Sequence, residues 1–135
     1  MIRYMLDTSV CVDLLRGRLP YVLDRVRLVP MDEIAVSTIS LAELLYGAAK
    51  SSDPARHETI IAHFLAPFAM LLFDTDAAKA YARVRADLTR AGRPIGPLDM
   101  LIAAHALSVG AAVVTANERE FRRVPGLRVE NWLAT

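Results

Sequence analysis

Short apolar runs alternate along the chain with longer segments whose apolar residues recur at helical spacing. Ile2 to Leu6 is an apolar run stopped by Asp7-Thr8-Ser9, where a strand would end and a capped helix begin. Val10 to Arg16 continues as that helix, and Gly17 ends it. Pro20 to Leu28 carries Val22, Leu23 and Val26 at helical spacing, and Ile34 to Ser37 reads as a second buried strand. Ser40 to Lys50 predicts a helix, and Asp53-Pro54 opens another that runs to about Leu65. Met70 to Phe73 predicts a third strand, after which Thr75 or Asp76 caps a long helix ending near Gly92. Beyond the break at Gly96-Pro97, Leu98 to Val109 is Ala-rich and almost wholly apolar, so it predicts a helix buried on most sides, with Gly110 as its stop. Ala111 to Thr115 is a fourth strand, followed by a turn at Asn117, a short helical piece to Arg122, and Leu127 to Val129 as a candidate edge strand.

This alternation predicts an α/β fold with a parallel sheet of four to five strands flanked by helices, because parallel strands need helical crossovers and covered faces. The 135 residues, 54% hydrophobic and 23% charged, match one domain spanning 1–135, long enough to hold a core without disulfide or structural metal. The single cysteine, Cys11, is expected to pack as a small hydrophobe. Asp7 follows the first apolar residues too soon for a signal-peptide core, and no apolar run is long enough to span a membrane, so the expected compartment is the cytoplasm. The net charge of +1 hides sixteen basic and fifteen acidic groups, so it says nothing about nucleic acid by itself.

In such folds the chemistry sits at the carboxyl ends of the strands, near a topological switch point. Asp7 directly follows the first strand, Glu43 is expected in the first turn of the helix after the second, and Asp99 in the first turn of the helix before the fourth. Asn117 comes two residues after the fourth strand. Carboxylates converging at one edge repel each other and are costly to leave unpaired, and a divalent cation resolves the conflict. Oxygen-only ligands select Mg²⁺ or Mn²⁺ over zinc, and His57, His63 and His105 show no zinc-type spacing. A carboxylate site that leaves the ion open positions suits phosphodiester hydrolysis.

Each acid also has a purely structural reading. Asp7 could cap the helix begun by Thr8-Ser9, Ser40 and Glu43 form a Ser-x-x-Glu capping box, and Asp99 favours the positive end of a helix dipole. Their joint placement at strand ends is what points to a site. A phosphotransferase using Asp7 as nucleophile would want an acid at Ser9, and a receiver-type switch would want a Lys after a late strand, where neither Lys50 nor Lys79 falls. The remaining alternative from another class is a catalytically silent RNA- or protein-binding module of the same fold.

Met5-Leu6-Asp7-Thr8-Ser9, Ser40-Leu41-Ala42-Glu43-Leu44-Leu45-Tyr46-Gly47, Pro97-Leu98-Asp99-Met100-Leu101-Ile102-Ala103-Ala104-His105-Ala106 and Thr115-Ala116-Asn117-Glu118-Arg119-Glu120-Phe121 together resemble the PIN-domain ribonucleases, specifically the VapC toxins. The tail Arg123-Val124-Pro125-Gly126-Leu127-Arg128-Val129-Glu130-Asn131-Trp132 resembles the subgroup that cleaves initiator tRNA. The resemblance implies a PIN-like ribonuclease domain with Asp7, Glu43 and Asp99 as metal-binding catalytic acids. Asn117 stands where many PIN domains carry a fourth acid, with Glu118 and Glu120 as neighbouring candidates. It also implies a toxin-antitoxin role, a VapB-type antitoxin with a segment entering the acidic groove, and a homodimer that forms a larger complex with the antitoxin. The dimer contact is expected on helices between Asp53 and Gly92. Thr8 and Ser9 are candidate orienting hydroxyls, and Arg16, Arg18, Arg93, Arg119 and Arg122 are candidate RNA contacts near element ends.

Overall fold

The computed structural model describes residues 1–18 and 20–132. Five parallel strands, β1 (Tyr4–Leu6), β2 (Ile34–Ser37), β3 (Ala69–Leu71), β4 (Ala112–Val114) and β5 (Val129–Glu130), lie in the order β3-β2-β1-β4-β5. From β1 the chain builds outward to β2 and β3 on one side, and later to β4 and β5 on the other. The switch point is therefore the crevice between β1 and β4. Helices α1 (Thr8–Leu15) and α2 (Pro20–Arg27) separate β1 from β2, and α3 (Thr38–Ala49) and α4 (Pro54–Leu65) separate β2 from β3. Helices α5 (Thr75–Arg90) and α6 (Pro97–Val109) return the chain to β4, and the short α7 (Glu118–Phe121) leads to β5.

Three helices start on a carboxylate that accepts from their first turn: Asp7 from the Val10 amide at 2.9 Å, Asp53 from Arg56 at 3.3 Å, and Asp74 from Ala77 at 2.9 Å. Asp74, not Thr75 or Asp76, is thus the cap of α5. Helix α6 ends at Gly110, whose φ of 71° is the left-handed conformation that a Cβ disfavours. The strands are shorter than their apolar runs, with β3 set at Ala69–Leu71 and the edge strand β5 at Val129–Glu130 instead of Leu127 to Val129. A 3-10 turn at Met31–Glu33, which hydrophobic spacing does not signal, delivers the chain into β2.

Strand alternation divides the interior into two cores. Met5 and its register partner Val113 face α5 and α6, packing with Val84, Leu88, Ile102 and Phe121. Leu6 and its partner Val114 face the opposite layer, with Val10, Cys11, Val22, Leu44 and Ile61. Cys11 is a core residue, as expected, and burial pushes its thiol pKa up, so it stays protonated. Trp132 closes the second core edge-on to Tyr4 with ring centres 5.0 Å apart, and its indole nitrogen donates to Glu130 at 3.0 Å. No helix among the described residues is long and apolar enough to cross a membrane.

Phe121 is fully buried where α7 meets the first core. Phe121→Ala is expected to lower unfolding free energy by about 3 kcal/mol or more, measured by urea denaturation. An unchanged midpoint would show that α7 packs only loosely on the sheet.

Candidate active site

Asp7 leaves β1 at the switch point, and its backbone amide still donates to Val114 O at 3.0 Å, which pins it against β4. Its carboxylate is buried and accepts from three donors. Val10 N reaches Oδ1, Ser9 Oγ lies 2.8 and 2.9 Å from the two oxygens, and Thr115 Oγ1 donates to Oδ2 at 2.5 Å. Asp7 is therefore both the helix cap and a member of the acid cluster. Burial raises its pKa, the hydrogen bonds from Thr115, Val10 and Ser9 oppose that rise, and the charge of Glu43 adds to it.

Glu43 arrives from the second turn of α3, because the cap of that helix is Ser37, whose Oγ accepts from Ile39 N at 3.0 Å. Ser40 is consequently inside the helix, and the Ser40-Glu43 capping box does not form. Instead Thr8 Oγ1 donates to Glu43 Oε1 at 2.7 Å and lies 2.9 Å from the buried Ser40 hydroxyl. With its one proton committed to the carboxylate, Thr8 accepts from Ser40. A hydroxyl chain thereby ties α1 to α3 and aims Glu43 at the Asp7 side of the crevice.

Asp99 sits in the first turn of α6, as expected, close enough to Asp7 and Glu43 to feel both charges. It also hydrogen-bonds Glu120, a contact two carboxyls make only with a proton between them. Burial first, then Glu120 and the charges of Asp7 and Glu43, raise the Asp99 pKa from 3.8 to about 7. A Cβ at Gly96 would meet Asp99 Oδ2 at 3.2 Å, so glycine there leaves the carboxylate room.

Asn117 serves this group through its donors: Nδ2 to Glu120 Oε2 at 3.0 Å, and its backbone amide to Thr115 Oγ1 at 2.8 Å. Glu118 turns away. Arg122 donates to it at 2.7 Å and Asn131 at 3.1 Å, and that pairing lowers its pKa. Of the two neighbouring acids, Glu120 joins the cluster and Glu118 does not. Arg122 is correspondingly engaged by an acid, whereas the side chains of Arg16, Arg18, Arg93 and Arg119 form no ion pair among the described residues.

Two positioning elements carry no obvious signal in the sequence. Thr115 directly follows β4 as a fully buried hydroxyl between Asp7 and Asn117. His105, in the middle of α6, accepts through Nδ1 from Ser37 Oγ at 2.7 Å, because the ring's other side is hydrogen-bonded to the Leu72 backbone. Burial lowers the His105 pKa, so the ring is neutral. It joins the helix that carries Asp99 to the cap of the helix that carries Glu43.

Asp7, Glu43, Asp99 and Glu120 thus form an all-oxygen donor set, and no Lys or Arg pairs with any of them among the described residues. Such a set fits a hard divalent cation in its chemistry. No group of three His, Cys, Asp or Glu side chains among the described residues is drawn together tightly enough to enclose an ion by itself.

The family model for the PIN domain matches residues 4–127. Over 132 residues the chain is 41% identical to the tRNA(fMet)-specific endonuclease VapC of Salmonella typhimurium, covering 98% of this chain and 99% of that one. The chain belongs to the PIN-domain family, among the VapC proteins. It is 39% identical to Ribonuclease VapC2 of Haemophilus influenzae, over 98% of this chain and all of that one. Its fold superposes on the DNA-bound VapBC structure from Salmonella typhimurium with a TM-score of 0.93 at 41% identity, covering 98% and 99% of the two chains. For VapBC2 of Rickettsia felis, bound to a promoter DNA fragment, the values are 0.90 and 35%, with 98% and 99% covered. PIN nucleases in general depend on divalent metal ions, and the acid cluster of this VapC-family chain agrees in chemistry with that dependence.

The folded chain holds a proton on Asp99 between about pH 4 and 7, where the unfolded chain has lost it. Stability without divalent ions should therefore fall as pH rises through that window. Melting curves at pH 5 and pH 8 in EDTA test this, and Asp99→Asn is expected to flatten the difference. Equal slopes in both proteins would place the titrating group elsewhere.

Proposed function

We propose that this chain is a divalent-metal-dependent endoribonuclease and the toxin of a type II toxin-antitoxin pair, acting in the cytoplasm with Mg²⁺ or Mn²⁺. The observation that carries the reading is the convergence of Asp7, Glu43, Asp99 and Glu120 at the switch point without a cationic side chain among the described residues to neutralise them. Asp7, Glu43 and Asp99 would hold the ion, and Glu120 takes the place of the acid that Asn117 lacks. The ion, when bound, supplies the positive charge that lets an anionic phosphodiester approach acids and be hydrolysed.

The chain's own groups act around it. Thr115, Ser9 and the Val10 amide fix the direction of the Asp7 carboxylate, and Thr8 does the same for Glu43. Asn117 orients Glu120 through its amide. Arg16, Arg18, Arg93 and Arg119 remain available for phosphates, while Arg122 contributes only by releasing Glu118.

Initiator tRNA, cut in the anticodon stem-loop, is the substrate favoured by the likeness to enzymes named for tRNA(fMet). A VapB-type antitoxin is the partner favoured by relatives solved as VapBC complexes. A homodimer through the region between Asp53 and Gly92 is supported by the exposed Met70 and Leu72 at the edge strand β3.

Glu43→Gln keeps an acceptor for Thr8, so its melting temperature should stay near that of the native chain. Removing the charge should cut RNA cleavage at limiting Mg²⁺ by at least about tenfold. Asp99→Asn should abolish cleavage at unchanged or raised stability, because it removes one of several mutually repelling acids. Full activity in EDTA would overturn the metal requirement, and unchanged cleavage by Glu43→Gln would leave Glu43 a structural residue.

Sequencing of RNA 5′ ends after induction should show cuts concentrated in the initiator tRNA anticodon stem-loop. Cuts scattered through mRNA would refute the substrate and leave the nuclease.

A further inference from the structure

Beside the acid cluster, a cavity of about 520 Å³ opens between α1, α3 and α4, with Glu43 in its wall. Its floor is apolar, made by Val12, Leu15, Leu44 and Ile61. Its rim carries two cations, Arg16 at the end of α1 and Lys50 at the end of α3, with the His57 imidazole of α4 beside them. Neither Arg16 nor Lys50 has an acidic partner among the described residues. The Lys50 ammonium sits 5.1 Å from the exposed ring of Tyr46. His57 Nδ1 lies 3.0 Å from Asp53 O, which commits that nitrogen and leaves Nε2 for another group.

The cavity is kept open by an unusual choice of residue. Gly47 lies in the last turn of α3, shortly before its final residue Ala49, with no positive φ to require glycine. Glycine is the poorest helix former after proline. A Cβ built there would meet nothing within 4 Å, so neither a close approach nor backbone conformation explains it. What a side chain at 47 would do is fill the cavity, whose lining includes Gly47.

We propose that this cavity is a nucleotide subsite for single-stranded RNA. The base enters the apolar floor over Gly47, and its phosphate is held at the rim by Arg16 and Lys50, next to the scissile position at Glu43. The inference rests on the ribonuclease reading and deepens it. The volume suits one small ligand of nucleoside size. Proteins that read single-stranded RNA take splayed bases into apolar or aromatic surroundings and hold the phosphates with Arg and Lys. The rim charge is complementary to phosphate, and the cavity is continuous with the acid cluster through Glu43. These features favour RNA over a peptide as occupant.

The test compares RNA binding in the full-length Asp99→Asn chain with and without a second change, by fluorescence anisotropy of a labelled anticodon stem-loop. Adding Gly47→Leu should weaken binding at least tenfold without lowering the melting temperature. Gly47→Ala, the smaller filler, guards against misfolding and should give a weaker effect in the same direction. Lys50→Ala should weaken binding and reduce its salt slope by about one. In the otherwise native chain, Gly47→Leu should raise KM for RNA more than it lowers kcat. Undiminished RNA binding by folded Gly47→Leu overturns the subsite, and it makes the cavity a peptide groove if antitoxin capture is lost instead. Cleavage by the native chain together with equal kcat/KM for Gly47→Leu also overturns the subsite and leaves the ribonuclease standing. Absence of both RNA binding and cleavage in the native chain removes both readings.

Discussion

Bringing several carboxylates to the C-terminal end of a parallel sheet costs free energy, and much of the local structure around β1 offsets that cost. Asp7 is the extreme case, buried and within reach of two other acids, and it remains usable because Val10, Ser9 and Thr115 donate to it from three directions. These donors belong to α1 and to the residue after β4, so the carboxylate also fastens the first crossover to the middle of the sheet. Asp99 has fewer donors, and its repulsion is relieved by a proton shared with Glu120.

Precision in the cluster comes from contacts behind it. Ser40 and Thr8 set the reach of Glu43, Ser37 and His105 tie α3 to α6, and Asn117 links Thr115 to Glu120. Ser37, Ser40, His105 and Thr115 are all buried polar residues, and each is satisfied by hydrogen bonds. Such a network loses stability and direction together when one member is removed. Asp7 is buried and Glu43, Asp99 and Glu120 are half-buried, so the supporting contacts fix their geometry.

The cavity beyond Glu43 extends the same economy of space. Helix α3 presents Glu43 toward the crevice and Gly47 one turn later toward the cavity, so one helix face borders both.

The sequence by itself determined the succession of elements and the three acids, because strands, caps and stops are local: the apolar run before Asp7, Asp53-Pro54 before α4, and Gly110 after α6 each act within a few residues. Tertiary structure decided which polar neighbour does what. Ser37 prevails over Ser40 as the cap of α3, since it ends β2 in extended conformation and is held there by His105, a residue 68 positions away. Glu118 and Glu120 look alike in sequence, yet two residues on a helix point in widely different directions, so only one of them can face Asp99. Arg122 and Asn131 draw Glu118 outward, and Glu120 is left in the cluster. Thr115 follows a strand as any polar residue might, and only the pairing of β1 with β4 places its hydroxyl on Asp7. Partners so far apart in sequence meet through the strand order, and a pattern that repeats every two or four residues does not encode that order.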